Sequence, residues 1–289
     1  MMVLKDIKPY VKDLKEHYKK RVADLGEAPK LAIVQVGNNE ASNRYVKNKV
    51  KDCEEVGVIA DVYAYPEDTT EWELDDELAH MHEFYDGVIV QLPLPQHIRP
   101  EIATAAIPAD KDVDGFRVDS WFLPATPKGI CDYLSHCNFD LVGKDVVIIG
   151  RSDIVGKPLA KLMTDADATV TLCHSKSNLS KYIYNCDLII TAVGKAGFLN
   201  CYPIHVPVID VGINFNEDGK LVGDCFNTEN RDVTPVPGGV GLLTRCALVE
   251  NVILSKEMHT KSVGCEAAHQ CDMFCPKFVN GGCKDVTTE

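Results

Sequence analysis

The stretch Gly143-Lys-Asp-Val-Val-Ile-Ile-Gly-Arg-Ser-Asp-Ile-Val-Gly-Lys-Pro-Leu-Ala-Lys-Leu-Met163 decides the fold of this chain. Its β-branched run, Val146 to Ile149, is typical of a central parallel strand covered on both faces. Gly150 ends the run, Gly156 allows a close backbone approach, and Pro158 suits the first turn of a helix, where a missing N–H costs nothing. A strand, a glycine turn and a helix N-terminus present free N–H groups to a phosphate.

The turn departs from the usual G-x-G-x-x-G, because Arg151-Ser152 stands where a second glycine is expected. Taken alone, it leaves both a dinucleotide site and an ordinary strand–turn–helix open. The next predicted strand, 168–174, ends roughly twenty residues further on, where such folds read the adenosine ribose. Its tip, His174 to Ser177, has hydroxyl and basic groups but no carboxylate, and Arg151 can hold a 2′-phosphate with two N–H groups. This tip predicts NADP rather than NAD.

The rest of the chain predicts an α/β protein of two domains with a cleft between them. The N-terminal α/β catalytic domain spans about residues 1–120, and a Rossmann-like, doubly wound parallel-sheet domain that binds NADP spans 121–242. A last helix from about residue 243, with the tail to 289, is expected to pack back on the first domain. The predicted strands are 31–36, 59–65, 87–92, 146–149, 168–174, 187–193 and 206–211, and the predicted helices include 3–26, 41–56, 71–84, 98–106, 121–134 and 243–254.

Composition restricts the class of partner and the compartment. A net charge of −13 over 289 residues argues against nucleic acid or an anionic membrane as a partner. The start of the chain, residues 1–14, is charged and amphipathic rather than a signal peptide, and no run approaches 18 apolar residues. We therefore expect a soluble, cytoplasmic protein.

The chain has 12 cysteines, a high count for such a protein. Eight are scattered through predicted strands and helices and are interpreted as reduced core residues. The other four, with His269 between them, lie in the tail as Cys265, Cys271, Cys275 and Cys283. Thiolates in such a cluster are able to bind zinc or an iron–sulfur cluster, but paired C-x2-C spacing is lacking. The favoured interpretation is a reduced, metal-free extension.

An aromatic ring, an amine, an amide and a carboxylate are expected near one another in the first domain. Tyr45 and Lys49 are four residues apart on the predicted helix 41–56, and Ser42 shares their face. Gln91 and Asp114 follow a strand end and a loop, where open α/β sheets place ligands. A desolvated lysine amine can act as an acid or a base near neutral pH.

Each of these residues also has a purely structural interpretation. A Tyr-x-x-x-Lys pair in a lysine-rich helix is more often a solvated face, Asp114-Gly115 is compatible with a simple turn, and Gln91 with a sheet-edge amide. Tyr-x-x-x-Lys is also found in short-chain dehydrogenases. There it follows the glycine turn within one domain, whereas here it precedes the turn by about a hundred residues, so that alternative is set aside.

Six motifs in order resemble the bifunctional methylenetetrahydrofolate dehydrogenase/methenyltetrahydrofolate cyclohydrolase family, and the similarity runs from about residue 30 to 255. They are Ala41-Ser-Asn-Arg-Tyr45-Val-Lys-Asn-Lys49, Val90-Gln-Leu-Pro-Leu-Pro95, Lys111-Asp-Val-Asp-Gly115, Thr126-Pro-Lys-Gly129, Gly150-Arg-Ser152 and Thr234-Pro-Val-Pro-Gly-Gly-Val-Gly241. The resemblance implies hydride transfer from methylenetetrahydrofolate to NADP, followed by hydrolysis of the methenyl product to 10-formyltetrahydrofolate. It also implies a homodimer formed through the nucleotide domains.

The same resemblance implies roles for individual residues. Lys49 becomes the general acid/base, Gln91 its hydrogen-bond partner, Tyr45 a surface stacked on the folate, and Asp114 an acceptor for the pterin. The implied substrate contacts also include Ser42, Leu92, Pro237, Gly238 and Gly239. The implied cofactor contacts are Gly150, Arg151, Ser152, Val155, Gly156, His174, Ser175, Ala192, Gly194, Gly212, Ile213 and Thr244. No resident metal is implied.

One departure and two rival functions remain. Leu242-Leu243 stand where the family usually has proline and methionine, which we interpret as a packing change near the cleft. A dehydrogenase without cyclohydrolase activity is one rival, although Lys49, Gln91 and Asp114 speak against it. The other is a non-catalytic nucleotide- or metal-sensing protein that uses the cysteine tail.

Overall fold

Two parallel sheets form the framework of the chain, whose computed structural model describes residues 4–226 and 228–262. The first sheet has the strand order β2-β1-β3 and the second the order β5-β4-β6-β7. The first half comprises α1 (Ile7–Asp24), β1 (Lys30–Val36), α2 (Glu40–Val56), β2 (Ile59–Tyr65), α3 (Glu71–Met81), β3 (Gly87–Val90) and α4 (Pro100–Ala106). The second half comprises α5 (Ala125–His136), β4 (Asp145–Ile149), α6 (Gly156–Asp165), β5 (Thr169–Cys173), a short 3-10 turn (Leu179–Lys181), β6 (Leu188–Thr191), β7 (Val208–Asp210), the hairpin β8 (Asn214–Phe215) and β9 (Leu221–Val222), and α7 (Val240–Ser262).

Strand β1 is the centre of the first sheet and is covered on both faces. Leu31 and Ile33 pack into the core shared with α1 and α2, whereas Ala32 and Val34 pack against α3. This two-sided burial explains why the strand is a continuous apolar run instead of an alternating one. The predicted α/β fold of the first domain is confirmed, and β2 and β3 lie on opposite sides of β1.

Strand β4 has the same central place in the second sheet, and two glycines control the turn that follows it. A Cβ added to Gly156 would lie 2.1 Å from the carbonyl oxygen of Gly150. Gly150 has φ +122°, and a Cβ there would lie 2.3 Å from the carbonyl oxygen of Ala192. The expected close backbone approach is therefore confirmed: the turn, the helix and the loop after β6 touch through main-chain atoms.

The two helices that join the halves begin at other residues than predicted. Helix α5 begins at Ala125 instead of 121, after Pro124, whose ring fixes φ at −53° at the helix N-cap. Helix α7 begins at Val240, three residues earlier than predicted, because Gly241 is tolerated in its first turn. The N–H of Leu242 donates to the carbonyl oxygen of Gly239 at 2.9 Å. A proline at 242 would lack this donor, so the departure from the family pattern adds a backbone hydrogen bond.

A cluster of partly buried charges joins α1, α5 and α7. The Lys128 amine donates to Asp132 at 2.7 Å and also to Glu250, which accepts from Arg21 at 3.2 Å. Removing one partner from such a network leaves a partly desolvated charge without its counter-ion, which is destabilising. Helix α7 thus packs against α1 and α2 of the first half as well as against α5. Of the helices in residues 4–226 and 228–262, none is both long and apolar enough to cross a bilayer.

Candidate active site

Helix α2 carries the candidate catalytic residues on its inward face. Asn39 caps its N-terminus by accepting from the N–H of Ser42, and Gly57 ends it in the left-handed conformation, with φ 90°. Ser42 and Lys49 are buried, and Lys49 is only 5% exposed. The interpretation of Lys49 as part of a solvated face is therefore wrong. The opposite face of α2 lines a separate cavity of about 1090 Å³ together with β2.

The Lys49 amine lies beside a carboxylate at the edge of the first sheet. Its Nζ is 3.5 Å from Oδ2 of Asp114, and both side chains are buried. Asp114 reaches this position because Asp112 forms a parallel bridge to Val88 in strand β3. A buried ion pair is a suitable device for holding and moving protons.

Gln91 completes this group directly after β3. Its Nε2 donates to the carbonyl oxygen of Leu92 at 2.7 Å, whereas its Oε1 is buried without a hydrogen-bond partner among the residues that the structure describes. The expected hydrogen bond between Gln91 and Lys49 is therefore not formed in this structure. The Oγ of Ser42 is also buried and unpartnered. Since buried polar atoms are normally paired, these two oxygens favour a polar ligand bound next to them.

Tyr45 connects the catalytic helix to the glycine-rich loop of the second half. A Cβ added to Gly241 would lie 3.3 Å from the Tyr45 hydroxyl, so the two residues are in contact. Burial raises the pKa of Tyr45 above its usual value, and the neighbouring Arg245 cation partly opposes that rise. Tyr45 thus presents a neutral aromatic side chain where the first half meets the loop 234–241.

Two further contacts hold α2 to the second half, and the sequence pattern did not reveal them. Asp52, three residues after Lys49, accepts from Arg245 of α7 and from Lys15 at 2.6 Å. The Arg44 guanidinium lies 5.9 Å from the ring centroid of Phe215 in β8. Asp52 and Arg245 lie 193 residues apart, and no local sequence pattern indicates that they pair.

The predicted phosphate-binding groups gather at the carboxyl ends of β4 and β5. Arg151, Ser152 and Ser175 are exposed there, next to the Gly150–Gly156 turn. His174 and Ser177 form a tight turn in which the N–H of His174 donates to the Ser177 hydroxyl at 3.0 Å. A cationic side chain and hydroxyls at one sheet edge fit the diphosphate and 2′-phosphate of NADP. The first N–H groups of α6 are engaged within the turn, since Gly156 donates to the Ser152 hydroxyl at 3.5 Å and Lys157 to the Ser152 carbonyl oxygen at 3.0 Å.

The remaining predicted contacts are distributed around this edge. Ala192, Gly194, Gly212 and Ile213 lie in the loops after β6 and β7, on the same edge as the turn. Pro237, Gly238 and Gly239 precede α7, and the Cβ position of Gly238 is 3.6 Å from Cε of Lys8. The hydroxyl of Thr244 is already engaged, since it lies 2.9 Å from that of Thr126 and 3.1 Å from the carbonyl oxygen of Val240. Thr244 therefore joins α5 to α7, and its predicted contact with the cofactor stays a prediction.

The metal hypothesis concerns a part of the chain that the structure does not cover. Cys265, Cys271, Cys275 and Cys283, with His269, lie outside the described residues. Within the described ranges, no group of three or more His, Cys, Asp or Glu side chains is arranged to hold a metal ion.

Asp112 supplies a pH-dependent test of this region. Burial raises the pKa of its carboxyl from 3.8 to about 6, although the carboxylate accepts from the N–H groups of Gly115 and Arg117. Between about pH 4 and 6 the folded state therefore binds more protons than the unfolded state, and stability falls as pH rises. We expect the free energy of unfolding of the wild type, relative to Asp112→Asn, to fall by about 3 kcal/mol from pH 4 to pH 7. Urea titrations at both pH values measure this change, and a pH-independent difference contradicts it.

The described geometry defines a class: a two-sheet α/β enzyme of the pyridine-nucleotide type, with a buried lysine on a helix that contacts the second half. Family models agree with this class over both halves. The catalytic-domain model of tetrahydrofolate dehydrogenase/cyclohydrolase matches residues 6–114, and its NAD(P)-binding-domain model matches residues 124–260. The chain belongs to the tetrahydrofolate dehydrogenase/cyclohydrolase family.

Relatives and solved structures extend this assignment over most of the chain. The bifunctional protein FolD of Campylobacter jejuni is 42% identical over 277 residues, which is 88% of this chain and 98% of the relative. That of Staphylococcus carnosus is 39% identical over 274 residues, which is 88% of this chain and 96% of the relative. The crystal structure of the Campylobacter jejuni enzyme FolD is similar with a TM-score of 0.83 at 41% identity, covering 88% of this chain and 98% of that one. The Trypanosoma brucei FolD structure, complexed with NADP cofactor and inhibitor, has a TM-score of 0.83 at 28% identity, with 89% and 98% covered.

Proposed function

We propose that the chain oxidises 5,10-methylenetetrahydrofolate to 5,10-methenyltetrahydrofolate with NADP and hydrolyses the product to 10-formyltetrahydrofolate. The single observation that carries this proposal is the buried Lys49–Asp114 pair on a helix that touches the glycine-rich loop of the nucleotide half. One site next to a pyridine nucleotide accounts for both steps, since the product of hydride transfer is the substrate of ring opening. The relatives described above are named as bifunctional proteins.

The side chains of this site divide the work in the proposed mechanism. The nicotinamide of NADP, when bound, supplies the hydride acceptor. Loss of hydride leaves the bridging carbon as an electrophilic cation, and water adds to it. As a neutral amine, Lys49 takes a proton from the water as the C–O bond forms, and the resulting ammonium, paired with Asp114, gives that proton to the ring nitrogen as its bond to the carbon breaks, which is general acid–base catalysis. The proton of the added hydroxyl is released to solvent as the formyl C=O forms. Asp114 keeps that amine in place by its charge.

The other residues of the first half bind and orient the substrate. Tyr45 offers a flat neutral ring for the pterin to stack on. The unpartnered oxygens of Gln91 and Ser42 accept hydrogen bonds from the ligand, which removes the cost of leaving them buried and unpaired. Leu92, Pro237, Gly238 and Gly239 form the neighbouring walls. In the proposed division, residues 1–120 with α7 bind folate and residues 121–242 bind NADP.

Two assays on the wild-type protein test the function. Absorbance of the methenyl product is followed first with methylenetetrahydrofolate and NADP, and then with methenyltetrahydrofolate in the absence of any nucleotide. Oxidation in the first assay and nucleotide-independent decay in the second support both activities. Oxidation without decay identifies a dehydrogenase-only enzyme, and binding of NADP without turnover in either assay identifies a non-catalytic protein.

Arg151 is expected to set the preference for NADP over NAD. A two-pronged contact between guanidinium and phosphate contributes about 1.5–3 kcal/mol, so Arg151→Ala should lower kcat/KM for NADP about 10- to 100-fold. The value for NAD should change less than threefold, because NAD has no 2′-phosphate. Lys161→Ala is the matched control. It removes an exposed cation of the neighbouring helix α6, and this cation already pairs with Asp165. Equal losses for NADP and NAD in Arg151→Ala contradict the assignment.

We also propose a cytoplasmic homodimer formed through the nucleotide-binding halves. Ile204, Phe215 and Phe226 are among the large apolar side chains that are exposed on that half, and a dimer interface would cover such side chains. The eight cysteines of the described ranges are free thiols, which suits a reducing compartment. Light scattering at micromolar concentration distinguishes the dimer from a monomer.

A further inference from the structure

Asp224 is a completely buried carboxylate that neither the glycine turn nor the catalytic helix accounts for. It is 0% exposed and lies two residues after the end of β9. Five donors converge on its two oxygens, and three of them are consecutive backbone N–H groups of the loop that follows β6. Oδ2 accepts from Val193 N at 2.7 Å, Gly194 N at 3.2 Å and Thr191 Oγ1 at 3.2 Å, and Oδ1 accepts from Lys195 N at 2.9 Å and Asn214 Nδ2 at 3.0 Å.

This carboxylate holds the loop in one conformation. The partners recorded for it among the described residues are all neutral N–H and O–H donors, and an unpaired charge at this depth would be costly to desolvate. Three successive amides can point at one anion only if the backbone of 193–195 curves around it, as in an anion-binding nest. The loop shape therefore depends on the charge of Asp224.

A second buried carboxylate interlocks with the first. Asp210, 2% exposed at the end of β7, accepts from the backbone N–H of Gly212 at 2.9 Å and of Asp224 itself at 3.0 Å. A Cβ added to Gly212 would lie 2.3 Å from Oδ1 of Asp224, and one added to Gly223 would lie 2.1 Å from Oδ2 of Asp210. Each carboxylate thus occupies the space that a side chain at the opposite glycine would need.

The loop that Asp224 holds borders the proposed cofactor site. The carbonyl oxygen of Ala192, at the start of this loop, lies against Gly150 of the phosphate turn. Strand β4 lies between β5 and β6, so it marks the point where the winding of the sheet reverses and where such folds bind ligands. Because the ribose-reading tip follows β5, the other end of the dinucleotide lies on the side of β6 and β7.

We propose that Asp224 is a positioning residue for the nicotinamide end of NADP. It acts through the 193–195 amides and through Gly212, which together form a wall of fixed shape for that end of the cofactor. The inference rests on the proposed function. It adds the expectation that a change in this wall affects the oxidation but not the hydrolysis. Hydride transfer depends on this wall, whereas hydrolysis of methenyltetrahydrofolate uses no nucleotide and is independent of it.

Asp224→Asn tests the inference, because an amide keeps the shape and removes the charge. Its NH2 group faces N–H donors on either side, so at least two hydrogen bonds are lost. Loss of a hydrogen bond to a charged group lowers kcat/KM by about 10- to 100-fold when the group acts on the reaction. We expect kcat/KM of the NADP-dependent oxidation to fall at least 10-fold, while the hydrolysis rate stays within threefold. The affinity for 2′,5′-ADP, which carries only the adenosine end, should stay within twofold.

Two further variants keep the test decisive. Thr191→Val removes a single donor without changing side-chain volume greatly, and we expect the ratio of oxidation to hydrolysis to fall about threefold. Asp187→Asn is the matched control, since that carboxylate accepts from the N–H of Asp145 at 2.9 Å at the opposite edge of the same sheet. Its ratio should not change.

The outcomes separate the inference from the function on which it rests. An unchanged ratio in Asp224→Asn, or equal losses of both activities in a folded protein, overturns the positioning role. If Asp224→Asn does not fold, an unchanged ratio in Thr191→Val overturns it instead. A wild-type protein that fails to oxidise methylenetetrahydrofolate with NADP overturns the proposed function itself, before any variant is measured.

Discussion

Lys49→Ala is expected to lower the rate of methenyltetrahydrofolate hydrolysis by about 10²- to 10⁴-fold, the usual contribution of a positioned acid or base. The reason is the placement of the amine, 3.5 Å from the Asp114 carboxylate inside the first half. Affinity for NADP should stay within twofold, because the lysine is on α2 and the phosphate turn follows β4. Absorbance of the methenyl substrate measures the first quantity, and calorimetric titration with NADP measures the second.

Lys47, a neighbouring lysine of the same helix, provides the control. Lys47 is exposed on the opposite face of α2, where it lines the separate cavity. Lys47→Ala removes the same charge from the same helix and should leave hydrolysis unchanged. Since Lys49→Ala leaves Asp114 buried without its cation, thermal unfolding has to be followed in parallel. Hydrolysis at the wild-type rate in Lys49→Ala would show that the catalytic amine is elsewhere.

Gly156→Ala is the second large effect, and it acts on the cofactor. The added methyl group would lie 2.1 Å from the carbonyl oxygen of Gly150, so the helix has to move away from the turn. Overpacking of this kind usually costs about 1–3 kcal/mol of stability. The N-terminus of the displaced helix also no longer points at the phosphates of the cofactor. We expect the Kd for NADP to rise at least 100-fold, with oxidation lost accordingly and hydrolysis of methenyltetrahydrofolate largely kept.

Gly143→Ala separates this effect from simple destabilisation. Gly143 has φ 70° and no atom within 4 Å of its Cβ position, and it lies before β4, at the edge of the sheet opposite the turn. Alanine there suffers a backbone strain of about 1–2 kcal/mol without a clash. The variant should lose stability and bind NADP normally. Similar NADP affinities in Gly143→Ala and Gly156→Ala would contradict the role of Gly156.

Local patterns were sufficient for the sheets and for the phosphate turn. Continuous apolar runs identified β1 and β4, because two-sided burial leaves no room for polar residues. The close approach predicted at Gly156 is confirmed, because the turn and the helix are so near each other that no side chain larger than a hydrogen atom fits at this position. The start of α7 was placed too late because Gly241 lies in its first turn, where a helix tolerates it.

Spacing placed Tyr45 and Lys49 on one face of α2 but did not show which way that face points. Its burial comes from α1 and α7, and the ion pair that brings α7 close joins Asp52 to Arg245, 193 residues apart. Pairings at such separation have no local signature. The resemblance to a known family supplied the inward direction in advance.

Asp224 was missed for a related reason. Its partners are mostly backbone N–H groups some 30 residues earlier, and any sequence provides such donors. Gly212 was predicted as a cofactor contact, whereas the structure shows that an Asp224 oxygen fills its Cβ position. The glycine at position 212 therefore indicated a closely packed position after β7, but the sequence did not indicate that Asp224 packs against it.

The central claim is that one site, built from α2 and the loop before α7, performs both reactions. Inhibition by folate, which has no one-carbon bridge to react, tests it most directly when both activities are measured at saturating NADP. A single site predicts the same inhibition constant, within twofold, for oxidation and for hydrolysis. Constants that differ by more than tenfold would mean that the two reactions use separate sites.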